Sequence, residues 1–427
     1  MTSLASADTL ATAKDMWRAY ERAKEDGLPE AEIRDFLEEG LKAQPLAPVL
    51  RLGLAELAST KDACAAHAAS CIELVKKMRV GRPGKGRARR LASALLRLSA
   101  ECKRRKLFDL AVGACVEGVV LADPWLSDKE EQGNEEAKAA LTLAFECRMA
   151  MGSALRKKGQ KEEAAKAFEA AAGLVEKAGE MMKDELQLAK FWASACKASK
   201  KEDLVAAPPT AHLVSLYEHY AETFDEKLVG KLKYGTPAFL CAAINKLGRG
   251  PFASAADIGC GTGLSGVALR DNNILAAQGA QLVGVDLSPA MLEQAKTKGN
   301  VYDELCVGEC VEAMETMSKE GKRFQLLVAC DVLPYVGKLT AFFRHARDIV
   351  EEGGVLAFST ESLNTSEEEA IVLNVTGRYA HSPAYIKEEA ARAGLTVASI
   401  TAVEALRYNG GAAVPGHVSC LLRSEES

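Results

Sequence analysis

The chain has 427 residues, room for two or three domains, and its 48% hydrophobic and 26% charged composition is that of an ordinary globular protein. A formal net charge of −5 gives no global pull toward nucleic acid or anionic membrane, and no uninterrupted apolar run reaches transmembrane length. The twelve cysteines are scattered with no C-x-x-C pair and read as reduced thiols packed as small hydrophobes.

At the N-terminus no charged region precedes an apolar block, so a secretory signal is not expected. Residues 1–14 are rich in Ser, Thr and Ala but contain no Arg, which counts against a transit peptide. The expectation is a cytoplasmic protein. Residues 1–200 read as helical throughout, dominated by Ala, Leu, Glu and Lys, with punctuation at Gly27-Leu28-Pro29, Gln44-Pro45, Arg82-Pro83-Gly84, Asp123-Pro124 and Gly159. Helix–turn–helix units recurring in this way predict a helical-hairpin array. Met151-Gly152, Leu155, Ala164, Phe168 and Ala171 stand near the places where a tetratricopeptide (TPR) repeat keeps its signature residues, and weaker units surround Trp17, Leu37, Gly40 and Pro45, and Leu98, Ala111 and Gly118. Residues 127–136 read as an inserted polar loop. Such an array can bind a protein partner, dimerise or cap a neighbouring domain.

Two further features of this half have sharp and plain readings. Cys64, His67 and Cys71 share a helical face, but structural zinc takes four ligands, so the face reads as buried and no metal site is expected. Residues 76–106 carry thirteen basic residues against the single acid Glu101. Without aromatic residues for stacking, this run reads as solvated helix faces balanced by acids elsewhere, and a nucleic-acid partner is not expected. Residues 201–210, ending in Pro208-Pro209-Thr210, form the expected linker to a second domain at 211–427.

An amphipathic helix is expected over 210–227, carrying Tyr217, Tyr220 and Phe224 either in a core or over a ligand. Thr236-Pro237 reads as an N-cap and N1 pair opening the next helix. From Ala253 strand and helix alternate. Strands are expected to end at Asp257, at Asp286, at Gly308-Glu309-Cys310 and at Asp331, with a further strand at Val355–Ser359. In an open α/β sheet that carboxyl edge is where ligands bind. The first strand runs into Asp257-Ile258-Gly259-Cys260-Gly261-Thr262-Gly263, where alternate glycines allow a tight turn and a close ligand approach before a helix N-terminus. Gly261, Gly263 and Gly266 also satisfy the dinucleotide fingerprint, with Asp286 20 residues past Gly266, so the turn by itself fits either NAD or S-adenosylmethionine (SAM). The ending separates the two. Leu395–Arg407 and His417–Leu422 are extended around the turn signal Asn409-Gly410-Gly411, an antiparallel hairpin where a dehydrogenase would continue with a crossover helix.

Residues 215–423 resemble class I SAM-dependent methyltransferases, in particular the group with TPR repeats ahead of the catalytic domain. The resemblance rests on the Asp257–Gly263 turn, Gly284-Val285-Asp286-Leu287-Ser288-Pro289-Ala290-Met291-Leu292, the 217–225 and 232–237 stretches, Ala329–Val336, and Gly377-Arg378-Tyr379-Ala380-His381-Ser382. It implies a Rossmann-like α/β fold, a seven-stranded sheet ending in an antiparallel hairpin, and a SAM cofactor. Gly259, Gly261 and Gly263 would line its methionyl-ribose part, Asp286 its ribose hydroxyls, and Glu309-Cys310 its adenine; the family usually has Asp-Ala at that last pair. Asp257, Cys260, Leu287, Met291, Cys330, Tyr220, Phe224 and Tyr234 complete the cofactor residues expected on this basis. The family tends to carry an acid soon after the position of Arg407, where this chain has Tyr408-Asn409.

Methyl transfer needs alignment and a dry pocket more than an acid or a base. Where a base is used, Asp331, His381 and Tyr335 are the candidates, and Arg378 and Arg407 can pair with an acceptor carboxylate or phosphate. The reading is an enzyme, a SAM-dependent methyltransferase acting on a small-molecule acceptor. Its alternatives are a protein methyltransferase recruiting substrate through residues 1–200, or a non-catalytic SAM-binding scaffold. The sequence leaves the acceptor atom and the oligomeric state open.

Overall fold

The computed structural model describes residues 12–80, 83–126, 135–197, 208–218, 221, 224–226, 230, 232–363 and 370–424. The chain divides into two compact units, Met1–Lys197 and Ala198–Ser427.

Among its described residues the first unit is helical: α1 (Ala13–Glu25), α2 (Glu30–Ala43), α3 (Pro48–Glu56), α4 (Lys61–Arg79), α5 (Lys85–Arg104), α6 (Phe108–Ala122), α7 (Glu135–Lys158), α8 (Lys161–Val175) and α9 (Lys183–Lys197), with short 3-10 turns at Asp123–Trp125 and Glu176–Met182. Two of these helices, α1 and α4, start at a side-chain cap. Thr12 and Thr60 side chains accept from the Asp15 and Ala63 backbone N–H groups, each at 3.2 Å. Consecutive helices pack on one another, α5 on α6, α6 on α7, α7 on α8 and α8 on α9. Small residues set the approach distance. A Cβ added to Gly152 would lie 2.7 Å from the Phe168 ring, so that ring fills the groove only because position 152 has no side chain. Cys64 and Cys71 are buried, and the Cys71 thiol donates to the Pro48 carbonyl at 3.3 Å. Acids meet much of the basic run. Arg97 bonds Glu21 and Glu56, Arg79 pairs with Glu117, Lys76 with Glu73, and Arg104 and Arg105 with Glu101.

The second unit opens with α10 (Thr210–Glu218) and α11 (Thr236–Lys246), followed by β1 (Ser254–Ile258), α12 (Leu264–Asp271), β2 (Gln281–Asp286), α13 (Pro289–Lys296), β3 (Glu304–Val307), α14 (Cys310–Lys319), β4 (Phe324–Ala329), α15 (Thr340–Ile349), β5 (Val350–Glu361), β6 (Ile371–Leu373), β7 (Tyr379–His381), α16 (Pro383–Arg392), β8 (Leu395–Asn409) and β9 (Ala412–Arg423). The strands form one sheet in the order β3-β2-β1-β4-β5-β7-β6, with β9 antiparallel to β5 and β8 antiparallel to β9. The five strands β3, β2, β1, β4 and β5 are mutually parallel. Helices bridge them, so strand residues such as Leu282, Leu326, Val328 and Val355 are wholly buried.

Three local expectations change. Among the described residues the sheet has nine strands rather than seven, because the segment between β5 and α16 contributes the short pair β6 and β7, which pairs with β5 through Glu361 against Ala380. β5 is longer than Val355–Ser359, since pairing with both β4 and β9 recruits its flanks. Thr236 is not the cap of α11. Gly235 occupies that position, and the Thr236 hydroxyl instead reaches the Leu406 carbonyl at 3.3 Å and the Asp331 carboxylate at 3.4 Å. The 210–227 helix is α10 up to Glu218; Tyr220 lies outside the described residues.

Candidate functional site

A cavity of about 740 Å³ opens at the carboxyl edge of the parallel strands. Its floor is the turn between β1 and α12. Gly259, Gly261 and Gly263 all have positive φ, at 72°, 55° and 90°, which side-chain-bearing residues rarely adopt. The Gly259 and Cys260 N–H groups both donate to the Val285 carbonyl, at 2.7 and 2.9 Å, which ties the turn to β2. The glycines differ in what surrounds them. A Cβ on Gly259 would strike Val332 at 2.2 Å, whereas one on Gly261 meets nothing within 4 Å and would stand in the open cavity.

Asp286 ends β2 beside this turn. Its two carboxylate oxygens accept from the Gly261 and Ser288 N–H groups, each at 2.9 Å, and the residue lines the cavity. Burial nonetheless pushes its carboxyl above the ordinary range. Ser288 caps α13 as the sequence predicts, accepting from Met291 N–H at 3.3 Å, and Leu287 and Met291 give the cavity an apolar wall. Glu309 and Cys310 also line it. The Glu309 carboxylate is turned back onto its own helix, where Oε2 accepts from Val311 N–H at 2.8 Å and Glu312 N–H at 3.1 Å. Its side chain therefore serves as the N-cap of α14.

Asp257 is placed differently from a ligand-facing carboxylate. It is wholly buried off the cavity wall, and its Oδ2 accepts from Ser265 Oγ at 2.6 Å and Tyr302 OH at 2.7 Å. Among the described residues its Oδ1 has no hydrogen-bond partner. Burial raises its pKa from 3.8 to about 6, against the pull of those two hydroxyls. Tyr302 was not singled out by the sequence. Its hydroxyl also accepts from Gly266 N–H at 3.1 Å, and its ring fills the space where Cβ atoms on Gly266 and Gly284 would be, at 2.5 and 2.8 Å. The third glycine of the dinucleotide-like pattern thus makes room for a tyrosine. Gly284 inside β2 was the available signal, because a glycine in a strand interior marks a close approach.

The other end of the cavity is built from the residues after β4 and from β5, β7 and β8. Asp331 has φ 57° and both of its oxygens engaged. Oδ1 accepts from Ser359 Oγ at 3.0 Å and Oδ2 from Arg407 Nη1 at 2.9 Å. Arg407 is only 3% exposed, and its Nη2 bonds Glu361 on β5. Arg378 donates to the Tyr335 hydroxyl through Nε at 3.2 Å and Nη2 at 2.8 Å, and its Nη1 reaches Glu361 at 3.4 Å. The Tyr335 ring meets Tyr217 of α10 edge-on at 5.9 Å. Phe224, Tyr234 and Cys330 line the cavity, with the Tyr234 hydroxyl 3.3 Å from the Cys330 thiol. Asp225 holds this part of the chain to the glycine turn by accepting from the Thr262 hydroxyl and the Lys298 ammonium.

Two candidate bases read differently in three dimensions. His381 is wholly buried away from the cavity, its Nε2 donates to the Gly337 carbonyl at 2.9 Å, and it stacks on Tyr385. Burial lowers its pKa to about 4, so it is a neutral histidine of the core. Asp331 does reach the cavity, but as the partner of Arg407. Tyr335 also lines it. Among the described residues no cluster of three or more His, Cys, Asp or Glu side chains is arranged to hold a metal, and no helix is long and apolar enough to cross a membrane.

Residues 256–356 match the family model described as a methyltransferase domain. The chain is 29% identical over 168 residues to human methyltransferase-like protein 27, an alignment covering 38% of this chain and 64% of that protein. It is 32% identical over 126 residues to a malonyl-[acyl-carrier protein] O-methyltransferase of Legionella pneumophila, covering 29% of this chain and 42% of the relative. In both cases the matched region is less than two thirds of the relative's own length. Among solved structures, the N-methyltransferase NodS of Bradyrhizobium japonicum in complex with S-adenosyl-L-homocysteine aligns with a TM-score of 0.37 at 16% identity, covering 50% of this chain and 98% of that one. The strand order β3-β2-β1-β4-β5 closed by the antiparallel β9 and β8 is that of the class I methyltransferase fold.

Proposed function

We propose that the protein is a SAM-dependent methyltransferase whose acceptor is a small molecule, with residues 211–427 as the catalytic domain and residues 1–200 as a TPR-like helical domain. The observation that carries this reading is Gly261, whose missing Cβ leaves the cavity open directly beside the Asp286 carboxylate. The residues present fit the cofactor. The opening at Gly261 admits a ligand against the backbone, Asp286 brings a hydrogen-bond-accepting carboxylate for ribose hydroxyls to the cavity wall, and Leu287, Met291 and Phe224 supply apolar walls for a base. Three acids at this end, Asp286, Glu309 and Glu312, suit a cation.

When bound, SAM supplies a methyl group on a sulfonium, whose departure leaves a neutral thioether. What this chain contributes is alignment and exclusion of water. Leu213, Leu216, Tyr217 and Phe224 cover the cavity, while Asp225 anchors their segment to Thr262 and Lys298. Asp331 has both oxygens committed and acts by holding Arg407 in place.

The test is calorimetric titration of the full chain with S-adenosylhomocysteine and, in parallel, with NAD. The expected result is micromolar binding of the homocysteine compound and at least a roughly tenfold loss in Asp286→Asn, about 1.4 kcal/mol. Binding of NAD with none of the homocysteine compound would overturn the reading.

A further inference from the structure

The charges that line the cavity are sorted along the sheet. At the β2 and β3 end they are all acids, Asp286, Glu309 and Glu312. At the β4, β7 and β8 end they are Asp331 against three cations, Lys338, Arg378 and Arg407. Counting Glu361 behind the wall, the second end still carries one positive charge more than negative.

That surplus can be assigned. Arg407 is matched, with Asp331 on Nη1 and Glu361 on Nη2. Arg378 is the less satisfied cation. Its two shorter bonds end on one neutral phenol oxygen, that of Tyr335, and among the described residues its one carboxylate contact is the 3.4 Å reach to the Glu361 oxygen already bonded by Arg407. Lys338 forms no ion pair among the described residues. A guanidinium in a confined cavity whose nearest acceptors are weak gains most from an oxyanion, which takes two parallel N–H bonds. Tyr217, Leu213, Leu216 and Val336 give the same cavity an apolar surface, with Tyr217 against the Tyr335 ring that Arg378 bonds.

Resting on the methyltransferase reading, we propose that the acceptor is a small acid, and that Arg378 and Lys338 hold its carboxylate or phosphate group while the apolar wall takes its body. Arg378 and Lys338 are specificity residues. They orient the acceptor through a group remote from the atom that is methylated, and the acidic end of the cavity repels the same group from the cofactor's place.

The experiment uses the full chain saturated with S-adenosylhomocysteine and three probes that share one ring, namely benzoate, phenyl phosphate and benzamide. Binding of the homocysteine compound is checked before any probe is added, and its absence overturns the parent reading and the inference with it. The expected result is that at least one anion binds roughly tenfold or more tighter than benzamide, with the tighter of the two identifying carboxylate or phosphate. Arg378→Gln and Lys338→Met should each weaken the anion and leave benzamide as it was. Lys338 is exposed, so its variant answers the question even if Arg378→Gln fails to fold. Equal binding of all three probes, no detectable binding of either anion, or an anion preference that survives in Lys338→Met and in a folded Arg378→Gln would overturn the inference.

Discussion

Replacing Tyr302 by Phe tests how the glycine turn is supported. The ring stays where it fills the space beside Gly266 and Gly284, and a single oxygen is lost. That oxygen donates to Asp257 Oδ2 at 2.7 Å and accepts from Gly266 N–H at 3.1 Å. A hydrogen bond to a buried carboxylate is worth about 1.5–3 kcal/mol and one to a helix N–H about 1 kcal/mol, so the loss with Asp257 ionised is roughly 2.5–4 kcal/mol. The pH dependence follows from Asp257, whose pKa is raised from 3.8 to about 6 by burial. A carboxyl raised on folding contributes stability that is full below 3.8 and lost as pH rises through 6, a cost of about 3 kcal/mol at neutral pH. Removing a donor to the charged form pushes the folded pKa higher still. The variant therefore loses more than the wild type between about pH 5 and about pH 8, and its deficit narrows to roughly 1–2 kcal/mol at the lower pH. Tryptophan fluorescence is the wrong probe, because Trp17, Trp125 and Trp192 all fall in Met1–Lys197. Amide hydrogen exchange of β1 and β2 at the two pH values reads the right unit. A deficit of equal size at both would refute the role assigned to Asp257.

Gly259→Ala and Gly261→Ala should separate fold from ligand. The first meets Val332 at 2.2 Å and should disrupt the turn, seen as lost protection of the β1 amides. The second meets open space, costs only about 1–2 kcal/mol for its φ of 55°, and should weaken S-adenosylhomocysteine by roughly tenfold or more in calorimetry. Arg407→Met leaves Asp331 and Glu361 facing one another without their shared cation and should destabilise the second unit by about 3–5 kcal/mol in urea. In the first unit Gly152→Ala drives a methyl to 2.7 Å from Phe168 and should cost about 1–3 kcal/mol, measured by tryptophan fluorescence in urea.

Local chemistry was legible in the sequence wherever a residue acts through its neighbours in the chain. The strand end at Asp286, and that of β1 one residue past Asp257, the positive φ values of Gly259, Gly261 and Gly263, the Ser288 cap and the hairpin at Asn409-Gly410-Gly411 all follow from short-range rules of backbone and side chain. So did the position of Asp286 beside the turn, because parallel strands joined by helices bring their carboxyl ends to one edge. Tertiary structure alone decided which way those side chains are used. Asp257 turns inward because Tyr302, 45 residues away, offers it a hydroxyl. His381 is removed from the chemistry by burial against Tyr385 and the Gly337 carbonyl. Asp331 is claimed by Arg407, 76 residues further on. A motif fixes the path of the backbone over a few residues, but the partner of a buried charge is set by whichever distant element the sheet order places opposite it, and neither spacing nor composition records that pairing.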